Sequence, residues 1–242
     1  MIKATLLSTT MLFASLYPTI GWSQNNGGDL KDSITQILRE NPEILIEAIH
    51  HIQQQQEELA RQQAQERQIL NDLVENTTAH PTSGNPDGDI TVVFFVDRNC
   101  QDCARAQRVI DEVVQQDSNV RVVTHEWPRE GNTSRLAAMA ALAANAQEQH
   151  TGFLNRLIEA TGNITMETIV NSAVAENLDL NTLVRDLESE ELTRQIEHTQ
   201  TVAGHLGLTS APAFIVGQTI AQGLPNTRTL LETIERERNE QP

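Results

Sequence analysis

Ile90-Thr91-Val92-Val93-Phe94-Phe95-Val96-Asp97-Arg98-Asn99-Cys100-Gln101-Asp102-Cys103 is the stretch that decides the fold. Its first seven residues are almost all apolar, β-branched or aromatic, and they do not alternate with polar ones. A strand covered on both faces reads this way. Asp97-Arg98-Asn99 ends the run. The spacing then predicts a helix from the cysteines to about Gln116, with Ala104, Val109, Ile110 and Val113 facing inward. Cys100 would sit at the start of that helix, where unpaired N–H groups and the helix dipole favour a negative sulfur. The thiolate is the attacking species in thiol–disulfide exchange. Cys103 lies one turn further on and can return to release a mixed disulfide.

Two other uses of the pair stay open. One is an inert bridge, but closing so short a loop restricts an unfolded chain very little. The other is zinc, whose structural sites want four ligands. The chain has 2 cysteines and 7 histidines, and the sequence shows no second cysteine pair and no ligand-like histidine pair on this domain. A redox role is the reading carried forward, with no cofactor and no metal site expected.

On the C-terminal side, Val120–Trp127 reads as a second buried strand, ended by Pro128. Residues from about 133 to 208 are almost entirely helical in pattern. Ala213–Val216 is a third strand, and Gly217-Gln218 is a turn into Thr219–Ala221. Asn226 can cap a closing helix to about Arg238. Strand, helix, strand, a helical block, a hairpin and a last helix make a mixed α/β domain over 90–242, with the helical block inserted between two halves of a small sheet. Asn-x-Ser/Thr patterns at Asn76, Asn132 and Asn163 read as ordinary caps and turns.

On the N-terminal side, 77–89 is rich in Pro, Gly and small polar residues and reads as a linker. Residues 24–76 read as helix from Leu30 onward, after a polar lead-in, with a break at Asn41-Pro42. Leu45, Ile49, Ile52, Gln56, Leu59, Gln63, Glu66, Leu70 and Leu73 then follow heptad steps. The seam is apolar at both ends and polar in the middle. It can self-associate, fold back on its own domain, or remain a mobile arm. Self-association is the reading we carry forward.

Met1-Ile2-Lys3, the apolar stretch Ala4–Ile20 and Gly21-Trp22-Ser23 read as a cleaved secretory signal over 1–23. A retained anchor is the alternative, weakened by Ser8, Thr9 and Thr10 within the apolar stretch. A formal net charge of −16 disfavours nucleic acid and anionic membranes as partners, since phosphate binding needs a basic face.

The tetrapeptide and Ser210-Ala211-Pro212-Ala213-Phe214-Ile215-Val216 together resemble the thioredoxin superfamily, in which a cis-proline loop faces the redox pair. The order from Phe95-Val96-Asp97 through Cys100–Cys103, the helical insertion and Ala211-Pro212-Ala213-Phe214 is similar to the DsbA family. Ile37-Leu38-Arg39-Glu40-Asn41-Pro42-Glu43-Ile44-Leu45 resembles the N-terminal region of its ScsC-type, suppressor-of-copper-sensitivity branch. The resemblance implies a thioredoxin-like fold, with Cys100 and Cys103 catalytic and Ala211 and Pro212 contacting a bound polypeptide. It also implies that the N-terminal helices build a trimer with isomerase activity.

Two departures bear on redox poise. Gln101 and Asp102 stand where the family's best-known oxidase has a proline–histidine pair, and Phe94 stands where it has a buried acid. Both argue against a strongly oxidising role. Asp97 and Asp102, the nearby acids, read as solvated surface charges.

The expected function is disulfide exchange on misfolded or oxidised exported polypeptides in the periplasm, chiefly isomerisation, with a membrane redox partner that reduces or oxidises the pair. A simple disulfide oxidase or reductase is the alternative within enzymes. A copper-handling protein holding Cu(I) between two thiolates is the alternative outside that class.

Overall fold

A computed structural model describes residues 26–75, 80–159 and 164–240. The expected secretory signal lies outside the described residues. In chain order the elements are α1 (Asn26–Glu40), α2 (Pro42–Glu75), β1 (Thr82–Gly84), β2 (Ile90–Val96), α3 (Gln101–Gln116), β3 (Val120–Glu126), α4 (Gly131–Ala146), α5 (His150–Glu159), α6 (Met166–Ala175), α7 (Leu180–Asp186), α8 (Glu190–His205), β4 (Ala213–Val216), β5 (Thr219–Gln222) and α9 (Thr227–Glu240). Among them no helix is long and apolar enough to cross a membrane. The chain divides into two compact units, Met1–Leu59 and Ala60–Pro242.

In the second unit the strands form one sheet in the order β1-β3-β2-β4-β5. Only β2 and β3 run parallel, joined by α3; the other pairings are antiparallel. β2 is central, and its seven residues are all buried. Its side chains alternate between two cores. Ile90, Val92, Phe94 and Val96 face α3 and α9, meeting Cys103, Ala106, Ile110, Val113, Leu230 and Ile234. Val93 and Phe95 face the other way, toward Trp127, Val202, Leu206 and Leu208. Helices α4 to α8 build their own cores around Phe153, Leu154, Ile169, Leu183 and Ile196. This is the thioredoxin-like α/β fold with the helical insertion that the sequence predicts. On α3, Ala106 rather than Ala104 faces inward, and Ala104 and Val109 are half-buried.

Two boundaries differ from the sequence reading. The 77–89 stretch, read as linker, contributes β1, which pairs Thr82 with Val123 and Gly84 with Arg121 at the sheet edge. A three-residue strand of small and polar residues carries no periodicity to detect. The α1 helix also begins earlier than expected, at Asn26.

The heptad seam is divided between two uses. Leu70 and Leu73 are 3% and 5% exposed and lie in the second unit's core with Val93, Phe95 and Trp127. Arg121 donates to the Val74 carbonyl at 2.9 Å, holding the end of α2. Leu45, Ile49, Ile52 and Leu59, by contrast, are about half exposed, as are Leu30, Ile34 and Ile37 on α1. The C-terminal end of α2 thus folds back on its own domain. The earlier part keeps an apolar row facing water.

Beneath Leu73 the sheet carries an unusual buried pair. His80 and His125 stack with ring centroids 3.7 Å apart, and Phe95 also stacks on His125, at 5.0 Å. With His198 and His205 they line an open cleft of about 410 Å³. Neither ring nitrogen of His125 has a hydrogen-bond partner. Burial, followed by the nearness of His198, lowers His80 to about 4, with Glu126 opposing the shift. Burial, then His80 and His198, push His125 well below the usual range. Above pH ~6.5 these rings are neutral in both folded and unfolded chains and cost nothing. As pH falls from there toward 4, the unfolded chain takes up protons that the fold refuses, and stability declines. Each ring contributes a slope of up to about 1.4 kcal/mol per pH unit. Denaturant unfolding at pH 7 and pH 5 is expected to show this loss, and His125→Leu is expected to reduce it. Parallel losses in the two proteins would remove His125 as a source.

Candidate functional site

The site forms where two strand ends meet. Phe95 of β2 pairs with Ala213 of β4 in antiparallel register. The loop leaving β2 and the loop entering β4 therefore come to the same end of the sheet. The first loop carries Asp97 to Cys100; the second carries Thr209 to Pro212.

Cys100 is the N-cap of α3. Its sulfur accepts from the Cys103 N–H at 3.0 Å, satisfying one of the donors that a helix leaves free at its start. The two cysteines are joined in a disulfide, with Cα atoms 5.2 Å apart. Cys100 is half-buried, whereas Cys103 is 1% exposed and set in the α3–sheet core. On reduction, the N-cap sulfur would meet the positive end of α3, and the buried one would not.

The Ala211-Pro212 peptide bond is cis. The Ala211 carbonyl oxygen lies 3.8 Å from the Cys100 sulfur. Ala211 is half-buried and Pro212 buried. The side-chain oxygen of Gln222 accepts from the Thr209 N–H at 2.7 Å and the Ser210 N–H at 3.3 Å, and Gly223 donates to the Pro212 carbonyl at 2.8 Å. The hairpin partner β5 thus holds the loop in place. Cys100, Cys103, Ala211 and Pro212 are brought together. Gln101 and Asp102 sit on the exposed first turn of α3, where Asp102 pairs with Arg105 on the same face.

Asp97 differs from its expected role as a solvated charge: it is 1% exposed. Its carboxylate accepts from the Asn99 N–H at 2.9 Å and the Arg129 N–H at 2.7 Å. Its carbonyl accepts from the Cys100 N–H at 3.2 Å. Two backbone N–H groups converging on one buried carboxylate, one of them from 32 residues away, could not be read from an Asp beside a turn.

Behind this loop Arg98 and Glu126 form a buried ion pair, with Arg98 Nε 2.9 Å from both carboxylate oxygens. Arg98 also donates to Gln107 at 3.3 Å. His150, which reads from sequence as an exposed helical histidine, lies with Nε2 3.8 Å from Glu126. Burial opposes the Glu126 charge, but the Arg98 guanidinium and His150 hold the carboxyl below its usual range. Burial lowers His150. The pair is fully internal, so removing either partner would strand a buried charge. Among the described residues no group of three or more His, Cys, Asp or Glu side chains is arranged to hold a metal ion.

Residues 75–236 match the family pattern described as thioredoxin. A thioredoxin-like oxidoreductase from Silicibacter pomeroyi DSS-3 superposes with a TM-score of 0.67 at 36% identity, covering 69% of this chain and 97% of that one. A periplasmic thioredoxin-like protein from Salmonella enterica serovar Typhimurium gives 0.64 at 23% identity, covering 70% and 95%. Proteus mirabilis ScsC in a transitional conformation gives 0.65 at 22% identity, covering 88% and 97%. The last two likenesses are likenesses of fold. No curated protein matches the chain. The chain therefore belongs to the thioredoxin family and is a thiol–disulfide oxidoreductase.

Proposed function

We propose that the protein exchanges disulfides on exported polypeptides in the periplasm, and that its main work is isomerisation. The observation that carries this reading is the half-buried Cys100 sulfur at a helix start, with Cys103 sealed behind it and Ala211 3.8 Å away. In the reduced enzyme the Cys100 thiolate attacks one sulfur of a wrong substrate disulfide. That S–S bond breaks, a mixed disulfide forms, and the other substrate sulfur leaves as a thiolate. This thiolate, or another on the substrate, attacks elsewhere. The mixed disulfide finally opens and returns the Cys100 thiolate, with no net oxidation. When rearrangement stalls, Cys103 attacks the Cys100 sulfur, leaving a reduced substrate and an oxidised enzyme. A membrane redox partner must then supply two electrons. Ala211 and Pro212 would present backbone groups to the substrate strand. The periplasmic relative and the secretory pattern at residues 1–23 support the location.

The exposed apolar row through Leu45, Ile49, Ile52 and Leu59 supports association with further copies of this chain, and the resemblance of its N-terminal region to the ScsC-type branch implies three. Several tethered sites raise the effective concentration of thiols around one misfolded substrate. Because Leu70 and Leu73 belong to the catalytic core, the association segment ends near Leu59.

Three tests follow from this reading. Cys103→Ser is expected to accumulate mixed disulfides with a scrambled substrate, visible on non-reducing gels, and Cys100→Ser to accumulate none. The reverse pattern would exchange the two roles.

Asp102→His is expected to raise the reduction potential in a glutathione titration, because it replaces a negative charge beside the Cys100 thiolate. Asp102 is exposed and paired with Arg105, which limits the effect to about 10–30 mV. An unchanged or lowered potential would remove Asp102 from redox tuning.

A chain beginning at Ala60 is expected to be monomeric by light scattering, to keep simple disulfide exchange, and to lose most scrambled-substrate reactivation. A monomeric full-length protein, or full isomerisation by the shortened one, would leave an oxidase or reductase. Stoichiometric Cu(I) uptake without turnover would instead favour metal handling.

A further inference from the structure

Cys100 and Ala211 are 111 residues apart in the chain, yet exchange on a polypeptide requires their spacing to be fixed. We propose that Arg129, held by Asp97, is a positioning residue that braces the cysteine loop against the cis-proline loop and so aligns a bound polypeptide's disulfide with Cys100. The proposal rests on the disulfide-exchange reading above and adds a part that reading does not use.

The brace can be followed bond by bond. The Asp97 carboxylate accepts from Asn99, inside the cysteine loop, and from the Arg129 backbone N–H at 2.7 Å. The Arg129 side chain turns the other way and donates to the Thr209 carbonyl at 3.0 Å, two residues before Ala211. Its guanidinium carbon lies 4.5 Å from the centre of the Trp127 ring. Trp127 is buried, and its backbone N–H donates to the Val96 carbonyl at 2.7 Å. The indole therefore gives the cation a fixed platform, a contact that Arg makes well because its planar group stacks as it donates. One residue just past β3 thus touches both loops. Its backbone reads the position of Asp97, and its side chain sets the height of Thr209.

The arrangement has a chemical consequence. Gln222 fixes the cis-proline loop from the β5 side, and Arg129 is a tie toward the cysteine loop. Without that tie, Ala211 can shift relative to the Cys100 sulfur. A substrate held by backbone contacts at Ala211 then presents its disulfide off line, and small misplacements of reacting atoms slow chemistry strongly. A small disulfide that needs no such contacts reacts with Cys100 wherever Ala211 sits. The brace therefore acts on the ratio of polypeptide to small-disulfide reactivity.

The test measures mixed-disulfide formation by the reduced full-length protein with a disulfide-bonded peptide and with hydroxyethyl disulfide. Arg129 is exposed, so Arg129→Gln removes the side-chain tie and leaves the backbone bond to Asp97. It is expected to slow the peptide reaction about tenfold more than the small-disulfide reaction, the scale of one lost charged hydrogen bond. Arg129→Lys keeps the charge and can still donate to Thr209 but loses the planar group over Trp127, and is expected to recover part of the loss. Asp97→Asn is expected to shift the ratio in the same direction; should it fail to fold, Arg129→Gln decides alone. Equal slowing of both substrates, or no change in the ratio, would overturn the proposal. A wild-type protein that reacts with neither disulfide would instead sink the exchange reading and the brace with it.

Discussion

The placement of Cys100 at the strand-to-helix junction is the constraint on which the rest depends. A sulfur that caps α3 receives the Cys103 N–H and the positive end of the helix. That position exists only because β2 is buried on both faces and cannot shift, and because α3 is anchored by Ala106, Ile110 and Val113 against it. Sliding β2 by one residue would exchange its two side-chain sets between cores. Phe94 and Phe95 would change places, and the Cys100 loop would leave the Ala211 loop. The core therefore does more than stabilise the domain. It sets the register of the chemistry.

The second half of the site arrives from the other end of the domain. Helices α4 to α8 intervene between β3 and β4, with cores of their own. They can vary in size without moving the junction, because β4 returns to pair directly with β2. Polar contacts then finish what the sheet begins. Asp97, Arg129 and Gln222 fix loops whose backbones would otherwise be set only at their strand ends.

What the sequence reveals follows from how each feature is encoded. β2, α3 and the Cys100–Cys103 pair are legible because hydrophobic run, chemistry and helical spacing follow one another without a gap between Ile90 and Gln116. Ala211 and Pro212 are legible only through resemblance, since a proline before a strand is common. The edge strand β1 is not legible; three small residues owe their conformation to pairing with β3. The heptad row from Leu45 to Leu73 has one period but two destinations, and periodicity cannot tell a partner chain from the chain's own sheet. The burial of Asp97 and His150 and the His80–His125 stack is not legible, for a shared reason. Burial of a polar side chain depends on what the rest of the fold lays over it, and no local pattern records that.

The account stands on a thiolate stabilised at Cys100. Its most direct test is the ultraviolet thiolate absorbance of the reduced full-length protein, followed against pH beside Cys100→Ser and Cys103→Ser. An unperturbed cysteine titrates near ~8.5. The account predicts a wild-type transition well below that value, retained in Cys103→Ser and absent in Cys100→Ser. A Cys100 transition at or above ~8.5 would contradict it.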